Sequence, residues 1–141
     1  MLQDLSMHVE QSVEQLRRMA AMSFLATADG DQPCSRAMTH YIDNDGTIWY
    51  PTLLESAKVR QIAANPKVAV SFFDPQGRAA PVSVYGTAEI ITDCGGCEHI
   101  WQGFGPSITK IVPAGPGSAN FAFIKITPKS IVANTYRRTG G

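Results

Sequence analysis

The chain has 141 residues and a mass of 15.2 kDa, with 44% hydrophobic and 17% charged residues. A chain of that length buries roughly two-thirds of its unfolded surface, which excludes wholesale disorder and any need for metal or disulfide staples. Twelve Lys and Arg balance twelve Asp and Glu, so the basic surplus of a nucleic-acid binder is missing and nucleic acid is not an expected partner.

In chain order, Leu2, Leu5, Val9, Val13, Leu16 and Met19 recur at three- and four-residue spacing, with Glu10, Glu14, Arg17 and Arg18 off the stripe. That is an amphipathic helix over residues 1–22. It lacks the basic start and apolar centre of a secretory leader, and no apolar run approaches the ~20 residues of a membrane span. A cytoplasmic protein with no membrane partner is the expectation. The period then falls to two. Residues 23–28 form a strand closed by Asp29-Gly30-Asp31, and residues 33–42 form a second. Asp43-Asn44-Asp45-Gly46 makes a hairpin loop before a returning strand over 47–51.

Residues 55–64 read as a short helix stopped by Asn65-Pro66. Strands follow over 67–73 and 82–92, and a short helix over 94–104. The Gly- and Pro-rich stretch 103–117 reads as a loop, and the last strands cover 120–126 and 130–135, divided by Thr127-Pro128. Six or seven strands with few short helices predict a small antiparallel barrel. Its edges are removed by closure, and the N-terminal helix covers an open end. Repeats and long linkers are absent, so the chain reads as one domain, 1–141, with the barrel over 23–136. The charged fraction is below the ~25% usual for soluble domains, which points to a face covered by a second copy.

Chemistry concentrates in residues 36–58. Counting back across a four-residue loop pairs Ile42 with Thr47 and sets Arg36 opposite Leu53, beside the helix start that carries Ser56 and Lys58. A guanidinium, an ammonium, a hydroxyl and free helix amides gathered there favour an anion, phosphate above all. The competing reading makes Arg36 and Lys58 solvated charges paired with Glu55 or aspartates. Cys94-Gly95-Gly96-Cys97 with His99 offers three ligands where a structural zinc site takes four, so no metal is expected. A redox dithiol at a helix start and a loop with two incidental thiols both stay open. Cys34 reads as a small packed side chain. His40 shares a strand face with Arg36 and Met38, and Trp49 and Trp101 read as packing. Phosphate-loop, dinucleotide, zinc-protease and serine-hydrolase motifs are absent, and no residue stands out as a general acid or base, so no catalytic residue is assigned.

Several runs recur in a known order: Gln32-Pro33-Cys34-Ser35-Arg36-Ala37-Met38, then Ile48-Trp49-Tyr50-Pro51-Thr52, then Ser56-Ala57-Lys58-Val59. Asn65-Pro66-Lys67-Val68-Ala69-Val70, Val82-Ser83-Val84-Tyr85-Gly86-Thr87-Ala88-Glu89 and Phe123-Ile124-Lys125-Ile126-Thr127-Pro128 follow. Together they resemble the FMN-binding split barrels related to pyridoxamine 5'-phosphate oxidase, above all the general stress protein branch. The resemblance implies a mainly β, six-stranded antiparallel split β-barrel (Greek key) with a few short helices, forming a homodimer with FMN at the subunit interface. It implies Arg36 near the FMN phosphate and ribityl chain, and Ala37, Met38 and Thr39 along the flavin ring. Tyr50, Pro51 and Thr52 would form the opposing strand, and Ser56 and Lys58 the phosphate grip. The implied function is a flavoprotein, an FMN-dependent oxidoreductase of an unknown small molecule. The alternatives are a non-catalytic flavin-binding or stress-related protein, and a haem-binding relative using His8, His40 or His99. Departures fall at Ala57, where the oxidases carry arginine, at Pro81 for a glutamine and at Tyr41 for a lysine. An Arg-x-His segment is missing before Arg137-Arg138-Thr139-Gly140-Gly141. These point away from pyridoxamine phosphate oxidation itself.

Overall fold

The computed structural model describes residues 2–3, 12–93 and 95–133. The strands are β1 (Leu2–Gln3), β2 (Met22–Asp29), β3 (Gln32–Thr39), β4 (Tyr41–Ile42), β5 (Ile48–Leu53), β6 (Lys67–Phe72), β7 (Val82–Ile91) and β8 (Phe121–Ala133). The helices are α1 (residues 12–17), α2 (Ala57–Ala64), α3 (Glu98–Phe104) and α4 (Ser107–Ile111). One antiparallel sheet runs β3-β2-β6-β7-β8-β5-β4, with β1 added to β8. Six strands have six or more residues; β1 and β4 are two-residue additions.

The chain passes directly from β3, at one end of that order, to β4 at the other, so a single run closes the curled sheet into a split barrel. The split lies where β3 leaves β2 and only Tyr41 and Ile42 join β5. Alternation places Leu25, Val70, Phe72, Val84, Tyr50, Ile124 and Ile126 inside, where they form the main core with Val13, Leu16 and Met19 of α1 and its exit. The described part of the amphipathic stripe thus packs into the main core. Leu2 and Gln3 are instead strand, paired with Val132 and Ile131, and the remainder of the predicted helix lies outside the described residues. Among the described residues no helix is long and apolar enough to cross a membrane.

A second core lies on the outer face of β5 and β8. Trp49, Phe121 and Phe123 are covered there by Ile100, Phe104, Ile108 and Val112 of the α3–α4 segment. The sequence reading of 103–117 as loop misses α4, whose Ile108 and the following Val112 are almost fully buried. Gly103 lets α3 lie against the Tyr41 ring, which a Cβ there would strike. The two predicted last strands are one continuous β8. Pro128 is accommodated where the register shifts between Tyr85 and Gly86, and Gly86 leaves room for the Thr127 carbonyl.

The hairpin register also differs from expectation. Ile42 pairs with Ile48 and Tyr41 with Trp49, so the loop is one residue longer than counted. Asp43 accepts from the Gly46 amide at 3.0 Å and donates its own amide to Thr47 O at 2.9 Å, while the Asp45 carboxylate holds the Thr47 amide at 3.0 Å. Residues 32–39 pair with β2 through the tight Gly30-Asp31 turn, so Arg36 lies opposite Leu25, not Leu53.

Candidate functional site in the split

The split leaves two strand edges open and facing each other. Among the described residues, β3 pairs only with β2, and Tyr50 to Leu53 of β5 pair only with β8. Open edges carry unpaired backbone donors and acceptors. Between them lies a cavity of about 410 Å³ lined by Ala37, Met38 and Thr39 on one side and Pro51, Thr52 and Leu53 on the other. Met22 and Ile111 extend its apolar wall, and Ser56 and Lys58 close one end. The lining is therefore amphipathic, with methyl and thioether surface at one end and a hydroxyl, an ammonium and a helix start at the other.

The polar end is built by α2. Asn65-Pro66 stops this helix, and its first amides have no intrahelical acceptor. Ser56 precedes the helix in extended conformation and does not cap it through its side chain. Its hydroxyl bonds instead to the buried Thr52 hydroxyl at 3.0 Å. Lys58 is half-buried, and its ammonium is held below its ordinary pKa by burial and by the Arg36 guanidinium nearby. Among the described residues neither cation has an acidic partner. The pairing of Arg36 or Lys58 with Glu55 or a described aspartate is therefore not formed, and two like charges share one corner.

Arg36 reaches that corner from the barrel side. Its Nη1 donates to Thr27 Oγ1 at 2.8 Å and to Leu25 O at 3.2 Å, and its Nη2 donates to Gln61 Oε1 at 3.0 Å. Thr27 in turn donates to the same Gln61 oxygen at 2.6 Å. Arg36 is thus tied to α2 behind the cavity and does not line it. Tyr50 is fully buried and faces the core. The other seven residues singled out from the sequence line the cavity together. Met22 and Ile111 escape the sequence reading, as do Thr27 and Gln61 behind Arg36, and Leu53 enters it only as the expected strand partner of Arg36. Met22 was legible from the alternation of β2, whereas Ile111 sits in the stretch read as loop.

Beneath the split, the Ser23 hydroxyl lies 2.8 Å from His40 Nδ1 and 2.5 Å from the Tyr50 hydroxyl. Burial lowers the His40 pKa to about 4 and pushes that of the Tyr50 phenol up, so both are neutral near pH 7. His99 Nε2 pairs with Asp43 at 3.0 Å, and that hydrogen bond raises its pKa. His8 lies outside the described residues. Cys97 is disulfide-bonded and stands at the start of α3, and Cys34 is free; Cys94 lies outside the described residues. Tyr41 packs on Phe104 on the outer face, and Pro81 and Ala57 are exposed. Groups of three or more His, Cys, Asp and Glu able to hold a metal are absent among the described residues.

The model of the pyridoxamine 5'-phosphate oxidase family matches residues 9–134. A Listeria innocua structure provisionally described as a pyridoxamine 5'-phosphate oxidase is 27% identical, covering 89% of this chain and 98% of its own, with a TM-score of 0.73. General Stress Protein 26 from Bacillus anthracis strain Sterne is 24% identical over 88% of this chain and 92% of its own, with a TM-score of 0.72. An F420 reductase is 25% identical over 84% and 94%, with a TM-score of 0.63. No curated protein matches the chain.

Proposed function

This chain belongs to the pyridoxamine 5'-phosphate oxidase family, and from that premise we propose that it is a cytoplasmic, homodimeric flavoprotein that holds FMN in the split. The observation that carries the reading is the amphipathic cavity between two open strand edges, ended by positive charge that has no acidic partner among the described residues. An isoalloxazine ring needs an apolar slot with backbone groups at its polar rim, and a phosphate monoester needs cations and helix amides. Met22, Met38, Pro51 and Ile111 fit the first need; Ser56, Lys58 and the start of α2 fit the second. Arg36 adds charge from behind. The single cationic corner favours a mononucleotide over FAD.

When bound, the flavin would supply hydride or electron transfer, and the protein's part is to hold the ring, meet its polar edge and limit water. Among the described residues the lining includes no Asp, Glu, His, Cys or Tyr, and its one titratable side chain, Lys58, is the group assigned to the phosphate. That observation also supports the second reading, a flavin-binding protein without catalysis. The homodimer rests on the outer face of β2, β6 and β7, where Met22, Phe24, Phe73 and Tyr85 are exposed large apolar or aromatic groups.

The deciding experiment is reconstitution of the purified chain with FMN, followed by absorbance, sedimentation mass, and addition of NADH or NADPH. Saturable FMN binding on a particle of twice the chain mass supports the proposal, and bleaching by a nicotinamide selects the oxidoreductase. Bound FMN that no reductant bleaches selects the binding protein. Absence of saturable flavin binding, or a Soret band after haem addition, refutes the flavin reading.

A further inference from the structure

A second cavity, of about 260 Å³, lies between α3, Pro116 and the ends of β7 and β8, and shares no lining residue with the split. Its walls include Trp101, Phe121 and Phe123, with Glu98 and Gln102 among the polar groups, and no Lys or Arg takes part. Glu98, Trp101 and Gln102 stand at i, i+3 and i+4 on α3, so one helix face brings a carboxylate, an indole and an amide to the same opening. Glu98 has no ion-pair partner among the described residues.

The rings are set square to one another. Trp101 and Phe121 lie 5.5 Å apart at 89°, and Phe121 and Phe123 lie 4.7 Å apart at 77°. Successive perpendicular rings make a corner and not a slab, a shape suited to a compact rounded group more than to a flat heterocycle. Aromatic faces carry negative potential, and a neighbouring carboxylate reinforces it. Trp49, in the same aromatic cluster, has the Lys125 ammonium 5.9 Å from its ring centre.

We propose that this cavity is a binding site for a small organic cation, an alkyl-substituted ammonium seated in the Trp101–Phe121–Phe123 corner with Glu98 as its counter-charge. The inference stands apart from the flavin reading, because the two cavities have no residue in common.

Calorimetric titration of the full chain with choline and with its neutral carbon isostere, 3,3-dimethylbutan-1-ol, tests it. The expected result is saturable choline binding about tenfold tighter than the alcohol. Glu98→Gln and Trp101→Leu should each weaken choline by about tenfold, Trp101→Phe should keep most of the affinity, and FMN affinity should stay unchanged throughout. Should Trp101→Leu fail to fold, Glu98→Gln decides alone, since that side chain is exposed. Equal binding of choline and the alcohol overturns the proposal. So does unchanged choline affinity in Glu98→Gln, or no saturation by about 10 mM choline.

Discussion

Replacing Lys58 with alanine should discriminate between FMN and riboflavin, and the size of the effect follows from its surroundings. The ammonium and the Arg36 guanidinium share a corner without a carboxylate among the described residues, so a bound phosphate would be their first counter-ion. A hydrogen bond to a charged group contributes about 1.5–3 kcal/mol, which is roughly a 10- to 150-fold loss of FMN affinity in Lys58→Ala. Riboflavin lacks the phosphate, and its affinity should move less than about threefold by the same argument. Quenching of flavin fluorescence, titrated with both ligands on both proteins, gives the four affinities needed. The pH profile adds a second signature. Lys58 titrates below its ordinary value in the free protein, and a bound phosphate would raise it again. FMN affinity should therefore fall as pH rises from the free-protein pKa of Lys58 towards its value in the complex, and also fall below about pH 6, where the phosphate loses its second charge. Equal losses for FMN and riboflavin would mean that Lys58 supports the fold and not the phosphate. No loss for either would put the phosphate elsewhere.

Two further perturbations probe the scaffold. His40 is depressed from 6.5 to about 4 by burial, so the unfolded chain takes up its proton first as pH falls. The stability this neutral histidine protects is present above pH 6.5 and drains away towards pH 4, by about 3 kcal/mol at ~1.36 kcal/mol per pH unit. Urea unfolding between pH 7 and 4 should show that loss in the natural chain and not in His40→Gln; parallel losses in both would refute it. Gly86→Ala drives a Cβ into the Thr127 carbonyl and should cost about 1–3 kcal/mol in denaturant midpoint analysis. Gly95→Ala, which meets nothing, is its control, and equal midpoints would contradict the close approach at the β7–β8 bulge.

What the sequence discloses and what it hides divide along a physical line. Strands β2, β6 and β7 alternate between core and solvent, and their boundaries are readable within about two residues. By contrast, β5 is buried on both faces from Ile48 to Thr52, and its apolar run gives no parity from which to choose a register. The register count from the 43–46 loop then fails by one residue, because Asp43 and Asp45 hold a longer loop through their own hydrogen bonds. Pro128 suggests a break and instead marks a bulge, since Gly86 across the ladder makes room that local sequence cannot reveal. The positive end of the site is legible because cations are few. Its apolar wall is not, since Ile111 stands on a one-turn helix that exists only by packing on the second core.

The geometry also explains why the corner residues sit together although the predicted Arg36–Leu53 pairing is absent. Helix α2 bridges the split and is tied to the strands on both sides. From β5 the tie is the Thr52–Ser56 hydroxyl pair, and from β3 it is Arg36 to Gln61, with Thr27 of β2 bonding the same amide oxygen. On the core side, Tyr50 and Ser23 join β5 to β2, and Ser23 also holds His40 at the crossing from β3 to β4. A gap in a β-sheet should close or fray, since open edges seek partners. Here the gap is held at a fixed width by side-chain bonds above and below it, and those bonds use buried or half-buried groups for which loss of a partner is costly. Removing Gln61 would therefore release Arg36 and Thr27 together and let α2 drift from β3. Gln61, which does not line the cavity, thus ties the helix that carries Lys58 to both β2 and β3.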